Sequence, residues 1–383
     1  MKCRFRRSTF LIAIGVIIAV GGTAVPKFTA LAVDQTAVDQ AAATQAAAAA
    51  QAATAAQVAA AAQAAAAAQA AAAAQAAAAA QAAAVPAQTV QMSSMYTYDQ
   101  MCADMGMLSK KYPDYVKLGS IGTSSLGRNI PYMILGNPNA AHSIMVQSTI
   151  HAREYLGTQV VMKMAETYAS NKTLLPDTVN YYIVPMANPD GVSIAQFGAA
   201  SVTNPQIQQF VSLIGHFQSW KANGIGIDLN RNFGVRWETI PDSAPNYMLY
   251  KGLVPDSAAE VKALETLAAS KNFSAYISYH QMGNLIYYDE PGNTDAVSSL
   301  STLMASVTQA VTGYRPVNMK VTPIADDGGY TRGGFTDWVQ TYLAKPAMTL
   351  ELGSGLPPAA QGSVTSIYNS NVAVWQQIAQ IFK

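Results

Sequence analysis

Cysteine is nearly absent from this chain of 383 residues, with Cys3 and Cys102 the two present. Cys3 stands in front of an apolar run that reads as an export signal, so processing would remove it and leave Cys102 without a partner. That excludes a disulfide scaffold. Charge is equally scarce: 12% of residues are Asp, Glu, Lys or Arg, with a formal net charge of +1. Such a chain has no basic stripe for nucleic acid and no polyanion footprint. A neutral partner or small peptide, met by a monomer, is the default expectation. The chain has four histidines, so the setting of each carries information.

The first 90 residues carry little that could form a mixed core. Lys2, Arg4, Arg6 and Arg7 precede the apolar run Phe10 to Val20, and Ala30-Leu31-Ala32 offers a cleavage site before Val33. Residues 1–32 are therefore expected to be a signal peptide that sends the rest out of the cell. The alternative is an uncleaved anchor, because Ser8 to Val25 reaches the lower edge of a membrane span. Residues 33–90 are an Ala-rich tract in which Gln recurs every sixth residue, from Gln45 to Gln81. Ala is the best helix former and the tract exceeds the length at which isolated helices are marginal. Its period does not match 3.6 residues per turn, so Gln visits every side and no packing stripe forms. The tract reads as a helical spacer of about 60 Å, at 1.5 Å per residue, ending before Pro86. A spacer of this kind would associate the remainder with a membrane or wall; a repeat expansion without function is the other reading.

Residues 91–383 alternate two periods. Asp99 to Tyr112 has helical spacing, with Met101, Met105, Met107 and Leu108 forming a core stripe. Strand-like runs at Ile130–Leu135, Ser143–Thr149, Tyr181–Pro185, Ala275–Tyr279 and Ala347–Leu350 are separated by helical stretches such as Thr158–Ala169, Ser257–Ser270 and Ser298–Thr312. This alternation predicts an α/β domain with a mostly parallel sheet.

His151 and His280 each follow one of these runs, and Glu351 ends another. Strand C-terminal ends are where binding residues collect in an open α/β sheet. A histidine beside an apolar run is more often a hydrogen-bonded core residue than a ligand. Two such placements with Glu154 three residues after His151 point instead to a catalytic zinc with a water in the fourth position. Zinc lowers the pKa of bound water from ~15.7 to about 7, and Glu351 is the candidate general base. His142 and His216 lack such a setting and read as structural. Between the ligand candidates, Trp220 to Phe233 is dense in polar groups. Arg231 beside Asn230 supplies a guanidinium fork and an amide for a substrate carboxylate. Lys221 could polarise a scissile carbonyl or hold the oxyanion formed from it, typically worth about 3 kcal/mol. A solvated loop with helix caps is the alternative.

These strings together resemble the M14 zinc carboxypeptidase family. The resemblance runs from about Tyr96 to the C-terminus and includes Gly127-Arg128-Asn129-Ile130, His151-Ala152-Arg153-Glu154, Asn188-Pro189-Asp190-Gly191, Asp228-Leu229-Asn230-Arg231-Asn232-Phe233, Gly333-Gly334-Phe335-Thr336-Asp337-Trp338 and Thr349-Leu350-Glu351-Leu352-Gly353. It implies a mixed, mostly parallel eight-stranded twisted sheet with helices on both faces. It implies zinc on His151, Glu154 and His280, Glu351 as general base, and Arg153, Asn230 and Arg231 on the substrate carboxylate. Two positions depart from the digestive enzymes. Lys221 stands where they have an Arg, and the substrate-capping Tyr has its counterpart in Tyr330, displaced by one residue. Thr336, by position, lies near the pocket for the leaving residue, and Thr is neither an acid for Lys or Arg nor a large apolar surface. The strings look most like the bacterial branch containing γ-D-glutamyl-diamino acid peptidases, so a peptide or muropeptide is the expected substrate. Release of C-terminal residues from ordinary peptides is the alternative within the class. An inactive peptide- or wall-binding homologue is the alternative outside it, disfavoured because ligands and base are all present.

Overall fold

The computed structural model describes residues 90–92, 95–321 and 332–383. The expected export signal, the Ala/Gln tract up to residue 89 and Tyr330 lie outside the described residues. In chain order the elements are α1 (Tyr98–Lys111), β1 (Val116–Thr123), β2 (Asn129–Leu135), β3 (His142–Ser148), α2 (Leu156–Ser170), β4 (Val179–Val184), α3 (Pro189–Phe197), α4 (Pro205–Ile214), α5 (Ala259–Ala269), β5 (Ala275–His280), β6 (Leu285–Tyr288), α6 (Asp295–Thr312), β7 (Arg315–Asn318), α7 (Phe335–Trp338), β8 (Ala347–Glu351), α8 (Val364–Asn371) and α9 (Val374–Ile381).

One mixed sheet of eight strands, in the order β1-β2-β4-β3-β5-β8-β6-β7, runs through the domain. Its middle, β4-β3-β5-β8, is parallel, while the β1–β2, β2–β4 and β6–β8 pairs are antiparallel. The strands of this parallel centre are apolar on both sides, as burial beneath helices on two faces requires. Within β3, Ile144 and Val146 face a core shared with α1, α2, α6, α8 and α9, whereas Met145 faces a second core with α5 and α7. The predicted stripe on α1 is in place: Met101, Met105 and Leu108 are buried, and the Thr97 hydroxyl caps the helix by accepting the Gln100 N–H. Among the described residues, no helix is long and apolar enough to cross a membrane.

The chain enters this domain along α2. Val90 is 2% exposed. Lys163 Nζ donates to the Val90 carbonyl at 3.2 Å, and the Val90 N–H donates to Glu166 Oε2 at 3.3 Å. Gln159 Nε2 donates to the Gln91 carbonyl. Lys163 and Glu166 also pair with each other at 3.0 Å in a buried setting. Trimming the protein to begin at Gln88 should therefore preserve folding and activity on a soluble peptide. Beginning at Met95 should lower stability by at least ~1.5 kcal/mol, the lower end for full burial of a Val side chain. Thermal unfolding of the two trimmed forms checks this, and equal melting temperatures would show that Val90 contributes nothing.

Candidate metal centre and substrate cleft

The three parallel strands β3, β5 and β8 end side by side, and their ends carry the chemistry. His280 and Glu351 are direct register partners on β5 and β8. After β3 the chain turns at Thr149, whose φ of 57° is unusual for a β-branched residue. Its hydroxyl lies 2.8 Å from that of Thr158 and 3.3 Å from the Glu154 carbonyl, which braces the turn. The Asn-Pro-Asp-Gly string supplies a second brace. Asn188 Nδ2 donates to the carbonyls of Ile150 and Ala222, each at 3.0 Å, tying the His151 loop to the Lys221 loop. A side chain at Gly191 would meet the Ala222 carbonyl at 2.2 Å, so glycine is required where these loops cross.

His151 Nδ1 lies 2.8 Å from Glu154 Oε1, His280 Nδ1 lies 3.0 Å from Glu154 Oε2, and the two Nδ1 atoms are 3.2 Å apart. All three residues are buried, and their ligand atoms lie within 4.8 Å of one another. The donor set suits zinc. Bonds of ~2.0–2.1 Å to N and O place neighbouring tetrahedral ligand atoms roughly 3.3 Å apart, close to the observed spacing. Burial opposes the charge on Glu154, yet the two histidines hold its carboxyl well below the usual range.

Asp228, which the sequence reading left without a role, lies with Oδ1 3.3 Å from His151 Nε2. A carboxylate behind a ligating imidazole orients the ring electrostatically, and Asp228 stands close enough to His151 to act in this way. Burial opposes its ionisation, but His151, Arg231 and Lys221 together depress its pKa. The signal was the Asp that opens the Asp-Leu-Asn-Arg string. What it lacked was any hint that His151, far upstream, would be its neighbour.

Glu351 Oε2 is enclosed without a hydrogen-bond donor among the described residues. Burial pushes the carboxyl up to about 7, with Glu154 adding to the shift while His280, Lys221 and Arg153 oppose it. A carboxyl poised there is suited to taking and returning a proton near neutral pH. Lys221 Nζ stands 3.9 Å from Glu154 Oε1. Arg231 is buried and Nη1 donates to the Asn230 carbonyl at 2.7 Å, so this turn is not a solvated loop. Asn230 Oδ1 accepts the Phe335 N–H at 3.0 Å. Thr336 Oγ1 lies 3.0 Å from Thr349 Oγ1, two residues before Glu351 on β8. That hydroxyl pair continues a polar row across the sheet, with Gln147, Ser278 and Thr349 in register and Gln147 Nε2 donating to Ser278 Oγ. The structure thus groups His151, Glu154 and His280, with Glu351 paired to His280 and Lys221 beside Glu154; Asn230 and Thr336 are joined through the start of α7. His142 and His216 stay apart: His142 Nδ1 lies 3.0 Å from Ser274 Oγ, and His216 stacks on Tyr247.

Residues 101–366 match the family model described as zinc carboxypeptidase. The chain is 28% identical over 298 residues to gamma-D-glutamyl-L-diamino acid endopeptidase 1 of Lysinibacillus sphaericus, covering 73% of this chain and 71% of that protein. It is 26% identical over 272 residues to carboxypeptidase B of Astacus astacus, covering 68% and 86%. Among solved structures, bovine thrombin-activatable fibrinolysis inhibitor in complex with tick carboxypeptidase inhibitor aligns with a TM-score of 0.61 at 20% identity, over 76% of this chain and 98% of that one. The carboxypeptidase A from Helicoverpa armigera aligns with a TM-score of 0.60 at 20% identity, over 76% of each.

Proposed function

The chain belongs to the zinc carboxypeptidase family, and from that premise we propose that it is a secreted enzyme hydrolysing the γ-D-glutamyl-diamino acid bond of bacterial cell-wall peptides. The observation that carries this reading is the neutral Thr336–Thr349 hydroxyl pair, Thr336 standing where the family resemblance puts the pocket for the leaving residue. A pocket for Lys or Arg calls for a carboxylate, and one for large apolar side chains calls for apolar walls. Similarity to the Lysinibacillus sphaericus endopeptidase supports the same substrate class. Export rests on the basic and apolar N-terminal sequence, and the Ala/Gln tract would hold the domain away from a membrane or wall.

In this reading His151, Glu154 and His280 hold the zinc. When bound, zinc supplies Lewis acidity toward the scissile carbonyl and lowers the pKa of the attacking water. Glu351 removes a proton from that water and returns it to the leaving amine. Lys221 holds the carbonyl oxygen as negative charge develops on it. Arg153, Asn230 and Arg231 orient the substrate by its carboxylate, and Tyr330 is the sequence candidate for the residue that caps it.

Mass analysis of products from a purified muropeptide and from a plain peptide, run side by side, tests the substrate assignment. The muropeptide should be cut after its γ-linked glutamate, with slow or no release of C-terminal residues from the plain peptide. Efficient sequential loss of ordinary C-terminal residues, with the muropeptide intact, would assign the protein to broad carboxypeptidase action. The similarity to the Astacus astacus enzyme is the observation favouring that second reading.

A further inference from the structure

A second charged cluster lies beyond the hydroxyl pair and takes no part in the chemistry above. Arg236 Nη2 lies 3.1 Å from Glu290 Oε2 and 3.3 Å from Asp337 Oδ2. Both acids are 6% exposed, whereas the Arg236 side chain is 36% exposed. The cluster joins three separate pieces of chain. Arg236 follows the turn that carries Asp228, Asn230 and Arg231; Glu290 lies just past β6; Asp337 is on α7.

What α7 does gives the cluster its interest. The Phe335 N–H at its start donates to Asn230 Oδ1 at 3.0 Å. That bond occupies the oxygen of the Asn230 amide and leaves Nδ2, the donor that a carboxylate needs, as the group available to a ligand. The next residue is Thr336, in contact with Thr349. Just before the helix, the Gly333 carbonyl accepts the Phe233 N–H at 3.2 Å, and a side chain at Gly333 would meet the Arg231 carbonyl at 2.8 Å. Phe335–Trp338 runs directly into a π-helical turn, Val339–Leu343, and Phe335 and Val339 are buried in the second core.

We propose that Arg236, Glu290 and Asp337 are positioning residues that lock α7 against the Asp228–Arg236 turn, and so set the Asn230 amide and Thr336 for substrate. This rests on the reading that Asn230 and Arg231 bind the substrate carboxylate.

The lock is proton-linked. Glu290 and Asp337 present oxygens to the same Arg236 nitrogen at 3.1 and 3.3 Å, near enough that one shared proton relieves the repulsion between them. Burial raises both carboxyls, and for Glu290 the negative charge of Asp337 adds to the shift while Arg236 opposes it. The other charged groups around the pair are Arg231, whose positive charge favours ionised Asp337, and Asp289, which is held by Asn293, Ser298 and Asn318. Gln340 accepts the Glu290 N–H and is neutral. With one shared proton, a single carboxylate balances Arg236. Because the folded-state pKa values lie above the ordinary carboxylate range, stabilisation by the pair is complete at low pH and is lost as pH rises through those values. Beyond that point two buried carboxylates repel across one guanidinium and α7 loosens.

The test compares kcat and KM for a cleaved peptide carrying the free carboxylate with those for its carboxamide, as a function of pH, on the zinc-loaded full chain. Wild-type enzyme should prefer the carboxylate by about 10-fold or more in kcat/KM, the scale of a charged hydrogen bond. Arg236→Ala should bring that preference toward unity through KM, with kcat changed less than about 2-fold. Glu290→Gln keeps a hydrogen-bond donor to Asp337 but removes the shared titration. It should preserve the preference at neutral pH and abolish its decline on the alkaline side. Arg236→Ala with undiminished preference, or Glu290→Gln with the wild-type pH dependence, overturns the proposal. Equal rates of wild-type enzyme on acid and amide would overturn the carboxylate clamp itself, and the proposal with it.

Discussion

Glu351→Gln should retain zinc and bind substrate while losing at least ~100-fold in turnover, the lower end of what a positioned general acid or base contributes. The substitution keeps the size of the side chain and its oxygen but cannot accept and return a proton. Its neighbours should be undisturbed, because β8 is held to β5 by the Tyr279–Leu350 and His280–Glu351 pairs and the Leu352 N–H donates to the His280 carbonyl at 2.8 Å. The wild-type carboxyl sits in an environment that raises it to about 7. Single-turnover rates, with metal content and inhibitor affinity measured on the same preparation, separate chemistry from binding. If the variant turns over at the wild-type rate, the proton is carried by another group.

His280→Ala should abolish activity by removing the metal. The wild type should carry about one zinc per chain, and removing one of three protein ligands from a catalytic site leaves His151 and Glu154, too few to complete a site that normally has three. The loss should also appear in stability. A metal that binds only the folded chain contributes RT ln(1 + [L]/Kd), on the order of 4 kcal/mol at a thousand-fold excess over Kd. Adding a chelator to the wild type should therefore lower its melting temperature, and the variant should not respond. A variant that holds stoichiometric zinc and cleaves normally would remove His280 from the ligand set.

His151, His280 and Glu351 were legible because each stands at or just past the end of a strongly apolar strand, where sequence pattern and chemistry coincide, and Glu154 through its spacing three residues after His151. Strands β3, β4, β5 and β8, buried on both faces, were found for the same reason. The sheet margins were not. β1 alternates small and exposed residues around Gly119 and Gly122, and β7 spans four residues and contains Pro316, so neither shows a hydrophobic run. Helices α3 and α4 each begin at an Asn-Pro step, with the Asn side chain capping the first turn. Proline at the first helical position is a start signal, but the Asn188 step entered only as one of the strings that carry the family resemblance. Asp228 and the Arg236–Glu290–Asp337 cluster escaped for another reason. Their meaning lies in which distant segment stands opposite, and local pattern carries no information on that.

The grip of α2 on Val90 and Gln91 also has a mechanical side. Glu154 lies two residues before that helix begins, and Gln159, Lys163 and Glu166 occupy one face of it. Tension entering the domain through Val90 would be borne by this helix as a sideways pull, distributed over about two turns. His280 and Glu351 are carried on the neighbouring strands β5 and β8 and not on this helix. A load applied at Val90 would meet this helix before it meets the two strands that carry His280 and Glu351.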